Sequence, residues 1–289
     1  MSCNRPVLVH KRPSPEFPDG QPVYAPCGKC PECLRAKRLA WAYRVQKEIL
    51  SHHPKPSWFF TLTYDEDNVP LSEQGVKTLC KADFQKFMKL LRKWLWIDYH
   101  KRVRYFVVGE YGPTTARPHY HGFLFGIDIT EKQIDKYFRK FWKLGVNIEV
   151  SACDTNASVY AVKDMIAVQD HPEGAEDLFY LKSTRPGIGG LFIPPVRTLD
   201  PHDPRRLTER VPGGKDVLIP RYLIERWYDV FDLKRIKRNA ERLYADDQDL
   251  YERSLAATLQ DSDDLVQFLR IERIQMKRMK DKLIREDGL

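Results

Sequence analysis

The residues best suited to chemistry lie between Tyr105 and Gly126, in the stretch YFVVGEYGPTTARPHYHGFLFG. Two short apolar runs, YFVVG and HYHGFLF, flank a segment rich in Gly, Pro and Thr, which is the pattern of two paired strands joined by a loop. Side chains alternate along a strand, so His119 and His121 share one face and Tyr120 takes the other. Glu110 closes the first strand where the loop begins, and in-register pairing lets its carboxylate reach both imidazoles. Two imidazoles and a carboxylate, with room for water and phosphate oxygen, suit a divalent cation such as Mg²⁺ or Mn²⁺. Two His on a half-exposed strand can also be plain polar surface. The Glu and the apolar flanks weigh against that reading.

Two other groups of residues carry chemistry. Cys27, Cys30 and Cys33 form two overlapping C-x-x-C steps, CGKCPEC. Thiolates at this spacing can turn inward on one ion, usually Zn²⁺, with Cys3 as the best fourth ligand and His10 behind it. Three free thiols in a tight turn are the simpler alternative. Further on, the segment DTNASVYAVKDMIAV (residues 154–168) reads as a helix capped by Asp154 or Thr155. Val159, Val162, Met165 and Ile166 fall on one side, and Tyr160, Lys163 and Asp164 on the other. A phenol can open a phosphodiester by transesterification and keep the bond energy in a covalent link. With a pKa of ~10 it needs deprotonation or a nearby cation, which Lys163, one turn along, can supply. A surface Tyr with no task is the alternative.

The elements that must position these residues are readable from periodicity. Leu34–Leu50 has a helix pattern carrying Arg35, Lys37, Arg38, Arg44 and Lys47 beside Trp41 and Tyr43, a face suited to a DNA backbone or simply to water. Residues Ser57–Tyr64, SWFFTLTY, read as a strand. Asp83 is expected to cap a helix to about Tyr99, with Phe84, Phe87, Met88, Leu91 and Leu95 as its buried stripe and Lys86, Lys89, Arg92 and Lys93 largely solvated. Thr130 and Gln133 form a capping box for a helix from about Glu131 to Lys143, ended by Gly145 and followed by a strand over Val146–Val150. The expected fold is α+β, a central antiparallel sheet with flanking helices. In YLKSTRPGIGGLF (180–192), Gly187, Gly189 and Gly190 permit close backbone approach. That run reads either as a phosphate loop charged by Lys182 and Arg185 or as a Gly-rich turn.

The chain has 289 residues, a formal net charge of +8 and six Cys. The charge favours a polyanionic partner. No apolar run reaches the ~18 residues of a membrane span, and the first residues lack a signal-peptide core, so a soluble intracellular protein with unpaired Cys is expected. Residues 1–26 read as an irregular arm, 27–192 as the main domain with its Cys cluster, and 193–217 as a Pro-rich linker. Residues 218–289 read as a charged helical appendage that clamps DNA, joins protomers or recruits a partner.

Several of these elements, taken in order, resemble one family. GEYG…RPHYH is similar to the HUH motif of rolling-circle replication initiators, and VGEYG…RPHYHGFLFG more closely resembles the initiators of gokushoviruses, small single-stranded DNA phages. CGKCPEC, FTLTY, Tyr160 with Lys163, and RPGIG match further elements of that family, over roughly residues 25–195. The resemblance implies an HUH-endonuclease fold and a nickase/ligase that uses Glu110, His119 and His121 to hold the metal. Tyr160 is then the nucleophile, assisted by Lys163, and yields a 5′-phosphotyrosine and a free 3′-OH. Arg35, Lys37, Arg38, Arg117, Lys182 and Arg185 are the expected DNA contacts. The implied partners are single-stranded origin DNA and a host helicase and polymerase, in the cytoplasm of an infected bacterium, with a homo-oligomer open. The family's usual second Tyr, one turn from the first, is missing: Asp164 and Asn156 stand at the two places. Tyr180 or a second protomer is the substitute. An HUH transposase or relaxase with the same chemistry is one rival reading, and a non-catalytic zinc module that binds single strands is the other.

Overall fold

The structure is a computed structural model that describes residues 3, 6–10, 12–13, 18–20, 22–112, 114–155, 162, 172–194, 208–211, 215–236 and 238. It divides into two compact units, Trp41–Ile193 and the pair Met1–Ala40 with Pro194–Leu289.

In the Met1–Ala40 and Pro194–Leu289 unit, β1 (Val7–His10) pairs antiparallel with β2 (Pro22–Ala25). The helix α1 (Pro31–His52) begins directly after the Cys run. The arm expected to be irregular therefore carries a strand pair. Its strands are only four residues long, and Pro22 sits in one of them, so no alternation shows in the sequence. A second short pair, β8 (Thr208–Val211) with β9 (Lys215–Leu218), lies in the stretch read as linker. Helix α4 (Arg221–Trp227) follows, with Leu223 buried. The rest of the helical appendage lies outside the described residues.

The Trp41–Ile193 unit is built on five strands: β3 (Ser57–Thr63), β4 (Arg104–Tyr111), β5 (Pro118–Phe125), β6 (Ile148–Cys153) and β7 (Phe179–Lys182). Their order is β6-β3-β5-β4-β7, and every neighbouring pair is antiparallel. The α+β architecture expected from the sequence is observed.

Alternation along the strands divides the side chains between two cores. Trp58, Phe60, Leu62, Tyr120, Leu124 and Val107 face α2 (Lys81–Tyr99) and α3 (Glu131–Phe141), where they meet Phe84, Phe87, Leu91, Leu95 and Phe138. Phe106, Val108, Phe123 and Phe125 face the other way, against Trp41, Ala42, Val45 and Ile49 of α1. Removing one such fully buried Phe costs about 3–5 kcal/mol. Gly122 permits this close layering, because a Cβ there would stand 2.8 Å from the Phe106 carbonyl.

Several boundaries differ from the sequence reading, each for a local reason. Helix α2 is capped at Cys80 without a side-chain bond, and Asp83 lies in its first turn, where it accepts from the Tyr64 hydroxyl at 3.2 Å. The Thr130–Gln133 capping box of α3 forms as expected, although the helix stops at Phe141. Strand β6 begins at Ile148 and runs on to Cys153, paired with β3 throughout. Strand β7 was missed in the sequence because it is a four-residue edge strand.

Candidate metal centre and thiol cluster

Strands β4 and β5 set the central site. Glu110 is the register partner of His119, and Val108 is the partner of His121. Both imidazoles therefore share a face with Glu110, the face that also carries Phe123 and Phe125. The Nε2 of His119 lies 3.2 Å from Glu110 Oε1, and the Nε2 of His121 lies 3.3 Å from the same oxygen. The two imidazole rings meet edge-on, 4.6 Å between centroids.

The outer ring nitrogens are already engaged. His119 Nδ1 stands 3.0 Å from the Arg117 carbonyl, to which it can only donate. His121 Nδ1 is 2.9 Å from the Thr61 hydroxyl on β3, and Phe59 stacks on the same ring at 5.7 Å. Fixing Nδ1 in this way turns the Nε2 atoms toward the carboxylate, an arrangement typical of metal-ligating His. Burial opposes protonation of His119, but its bonds to Glu110 and the Arg117 carbonyl outweigh that, so its pKa is raised. Burial and the neighbouring His119 pull His121 down to about 4. The donor set therefore fits a divalent cation: one buried carboxylate and two oriented imidazoles, their ligand atoms within 4.8 Å of one another.

Tyr160 and Lys163 lie outside the described residues. Between them, Val162 is fully buried against the α1 side of the sheet. The substitute phenol, Tyr180, is on β7 as the partner of Val108, so His121, Val108 and Tyr180 form one row across three strands. Two strand spacings put it about 10 Å from His121. Its ring packs against Trp41 at 5.2 Å, with Lys182 Nζ at 4.5 Å. Tyr64 and Tyr120 belong to the opposite face, bonded hydroxyl to hydroxyl at 2.7 Å, and burial raises both their pKa values.

The expected DNA contacts are dispersed. Arg35 and Lys37 are exposed on α1, and Arg38 is half-buried. Arg117 directs its guanidinium to the Tyr64 carbonyl, at 3.1 Å from Nε and 2.6 Å from the terminal nitrogen, and to Glu66 at 2.7 Å. It braces the loop to β3. Lys182 lies over Trp41 at 5.1 Å as well as over Tyr180, and Arg185 is exposed.

The Gly-rich run resolves toward packing. Gly187, Gly189 and Gly190 are buried, and Gly189 has φ of +78° with Arg44's carbonyl 2.8 Å from where a Cβ would be. Arg44 Nε donates to the Ile188 carbonyl at 2.9 Å, and the Gly189 N–H donates to Glu48 at 2.6 Å. Arg104, ion-paired with Glu48, also donates to the Pro186 carbonyl at 2.9 Å. This buried clasp went unseen in the sequence, because Glu48, Arg104 and Gly189 are far apart along the chain and none stands in a motif.

The four cysteines named from spacing come together. Cys3, Cys27, Cys30 and Cys33 have all their sulfurs within 4.8 Å, with Cys27–Cys33 at 4.0 Å and Cys3–Cys30 at 3.8 Å. A tetrahedron of Zn–S bonds of about 2.3 Å places its sulfurs about 3.8 Å apart, whereas a disulfide needs about 2.05 Å. Backbone N–H groups of Lys29 and Cys30 point at Cys27 Sγ, at 3.5 and 3.3 Å, and draw its pKa down to about 6. The set fits a tetrathiolate metal centre. His10, the reserve ligand, is not part of it.

A buried carboxylate and an H-x-H pair on adjacent central strands, backed by helices, define a replication-associated protein. Residues 57–167, which include β3 to β6, match the family model described as replication-associated protein ORF2. The chain belongs to this family, as its likeness to gokushovirus initiators implied. Among named relatives, replication-associated protein ORF2 of Spiroplasma virus 4 is 28% identical over 285 residues, covering 84% of this chain and 87% of that protein. Replication-associated protein ORF4 of Chlamydia phage 1 is 33% identical over 39% of this chain and 27% of its own length. Replication-associated protein VP4 of Bdellovibrio phage phiMH2K is 31% identical over 48% of this chain and 46% of its own. No solved structure matches the chain. No helix among the described residues is long and apolar enough to cross a membrane.

Proposed function

We propose that this protein initiates phage DNA replication by nicking one strand at the origin and resealing it after a round of synthesis. The observation that carries this reading is the convergence of Glu110 Oε1 with the Nε2 atoms of His119 and His121 on one sheet face. Glu110, His119 and His121 hold Mg²⁺ or Mn²⁺, which when bound polarises the scissile phosphate and steadies charge on the departing oxygen. Thr61 and the Arg117 carbonyl keep the two imidazoles aimed.

The phenol oxygen of Tyr160 attacks phosphorus, the bond to the 3′ oxygen breaks, and that oxygen leaves as a 3′-OH primer once protonated. The 5′ phosphate remains on Tyr160, and the reverse attack reseals the strand. Lys163 favours the phenolate by its charge. Arg35, Lys37, Arg38, Lys182 and Arg185 contact the DNA backbone, while Arg117 is held to Tyr64 and Glu66. Tyr180, in the row of His121, or a Tyr of a second protomer takes the second transfer. A host helicase and polymerase extend the primer. Cys3, Cys27, Cys30 and Cys33 hold a structural Zn²⁺.

The test uses single-stranded DNA covering the genome, with Mn²⁺ or with a chelator, and a denaturing protein gel to detect adducts. A metal-dependent adduct lost in Tyr160→Phe is expected. An adduct that survives moves the nucleophile to Tyr180. DNA binding without cleavage or adduct makes the protein a zinc-containing binding module instead.

A further inference from the structure

On the α2 side of the sheet, away from the Glu110 face, lies a cleft of about 710 Å³. Its walls carry Lys89, Arg92, Lys93, Lys101, Arg102 and the indole of Trp96, and no carboxylate. The arrangement follows from helix geometry. Lys89, Arg92, Lys93 and Trp96 are spaced by three and four residues, so they form one stripe along α2. The helix ends at His100 in the left-handed conformation, and the chain turns back into β4, which brings Lys101 and Arg102 to the end of that stripe. Met88, Val103 and Tyr105 form an apolar floor.

Elsewhere in this unit cations have partners. Lys86 stands 3.8 Å from Asp83, Arg139 is paired with Asp135, and Arg104 is paired with Glu48. Among the described residues, none of the five cleft cations has an acidic partner within ion-pairing distance. Cations complement the C-terminal end of a helix dipole, but only within its last turn. That explains Lys101 and Arg102, and leaves Lys89, Arg92 and Lys93 unexplained. Trp96 is 48% exposed, with the Arg102 guanidinium 5.5 Å from its ring.

We infer that this cleft binds a segment of single-stranded nucleic acid, with phosphates along the cation stripe and an unpaired base on Trp96. A duplex buries the faces of its bases, so an accessible indole beside phosphate-binding cations selects for a single strand. At 1.5 Å per residue, Gln85 to Trp96 spans about 16 Å, enough for a few nucleotides. The surface lies on the face opposite His119 and His121, and its occupancy does not depend on nicking.

The experiment is fluorescence anisotropy of the full-length chain with a labelled thirty-mer of thymidylate and with a duplex of equal length, across a salt series. Arg92→Gln/Lys93→Gln is expected to weaken single-strand binding about tenfold and to flatten the salt slope by about 1.4, two contacts at ~0.7 each. Trp96→Ala is expected to weaken it at least fivefold, with Trp96→Tyr restoring most of the affinity. Lys86→Gln, outside the cleft, should bind as wild type. Thermal melts check that each variant is folded. Arg92→Gln/Lys93→Gln binding like Lys86→Gln would overturn the proposal. So would equal losses for single strand and duplex with Trp96→Ala silent, which would make the cleft a general polyanion surface.

Discussion

Glu110 and His119 are register partners across the β4–β5 ladder, and the same carboxylate oxygen that meets His119 at 3.2 Å also meets His121 at 3.3 Å. One buried oxygen thus organises both imidazoles, and loss of any of the three should disable the centre. Glu110→Gln, His119→Ala and His121→Ala are each expected to cut metal-dependent cleavage at least a hundredfold while leaving the melting temperature close to wild type. Cleavage rates in Mn²⁺ beside thermal melts check this.

Thr61 acts on the site from a neighbouring strand, through His121 Nδ1. Thr61→Val keeps the β-branched shape and removes the hydroxyl. It should weaken Mn²⁺ binding about 10–100-fold, the usual cost of losing such an outer partner, with little change in fold. Metal titration by calorimetry reads the effect directly.

The Glu48–Arg104 pair is buried, and removing one member leaves an uncompensated charge. Arg104→Met is therefore expected to destabilise the protein by about 3–5 kcal/mol in denaturant unfolding. Glu48→Met/Arg104→Met should be less damaging than Arg104→Met alone, because neither charge is then stranded.

The same carboxylate gives a pH signature. Burial alone would raise the Glu48 pKa, but hydrogen bonds from His52, Arg104 and Gly189, with the charge of Arg104, hold it below the usual carboxylate range. A group lowered on folding contributes stability fully above its unfolded pKa of about 4.3 and loses it as pH falls through the lower folded value. Unfolding free energy should thus drop on acidification below about pH 5, and Glu48→Gln should flatten that drop.

For the thiol cluster, purified protein should carry one zinc per chain. Cys33→Ser or a strong chelator should remove it and lower the melting temperature, while Cys80→Ser should leave the metal in place. Elemental analysis and replacement by Cd²⁺, which gives a sulfur charge-transfer band, check the assignment.

The hairpin was legible because alternation and loop composition are local signals that fix which side chains share a face. The α3 capping box was legible for the same reason, since Thr130 and Gln133 carry the whole interaction between them. Cys3 followed from counting ligands, and the sulfurs do converge. Interactions between distant, unremarkable residues left no trace. Nothing near Glu48 announces Arg104 or Gly189, and the glycines of RPGIG looked equally suited to phosphate until Arg44 was seen against them. Asp83 looked like a cap because its type suits one, but the Tyr64 hydroxyl claims it. The short pairs β1–β2 and β8–β9 lack the length over which alternation becomes visible.

All three ligands of the central site come from residues 110–121, within a single hairpin, whereas Thr61 comes from far earlier in the chain. Hairpins close in about 1–10 μs, and contacts between distant segments form more slowly because a longer loop must be ordered first. The carboxylate and both imidazoles are therefore gathered early in folding, and the strand that aims His121 arrives later. A nascent chain can assemble the cation's ligands before the catalytic face has its final geometry, so capture of the ion and tuning of its site are separate events in time.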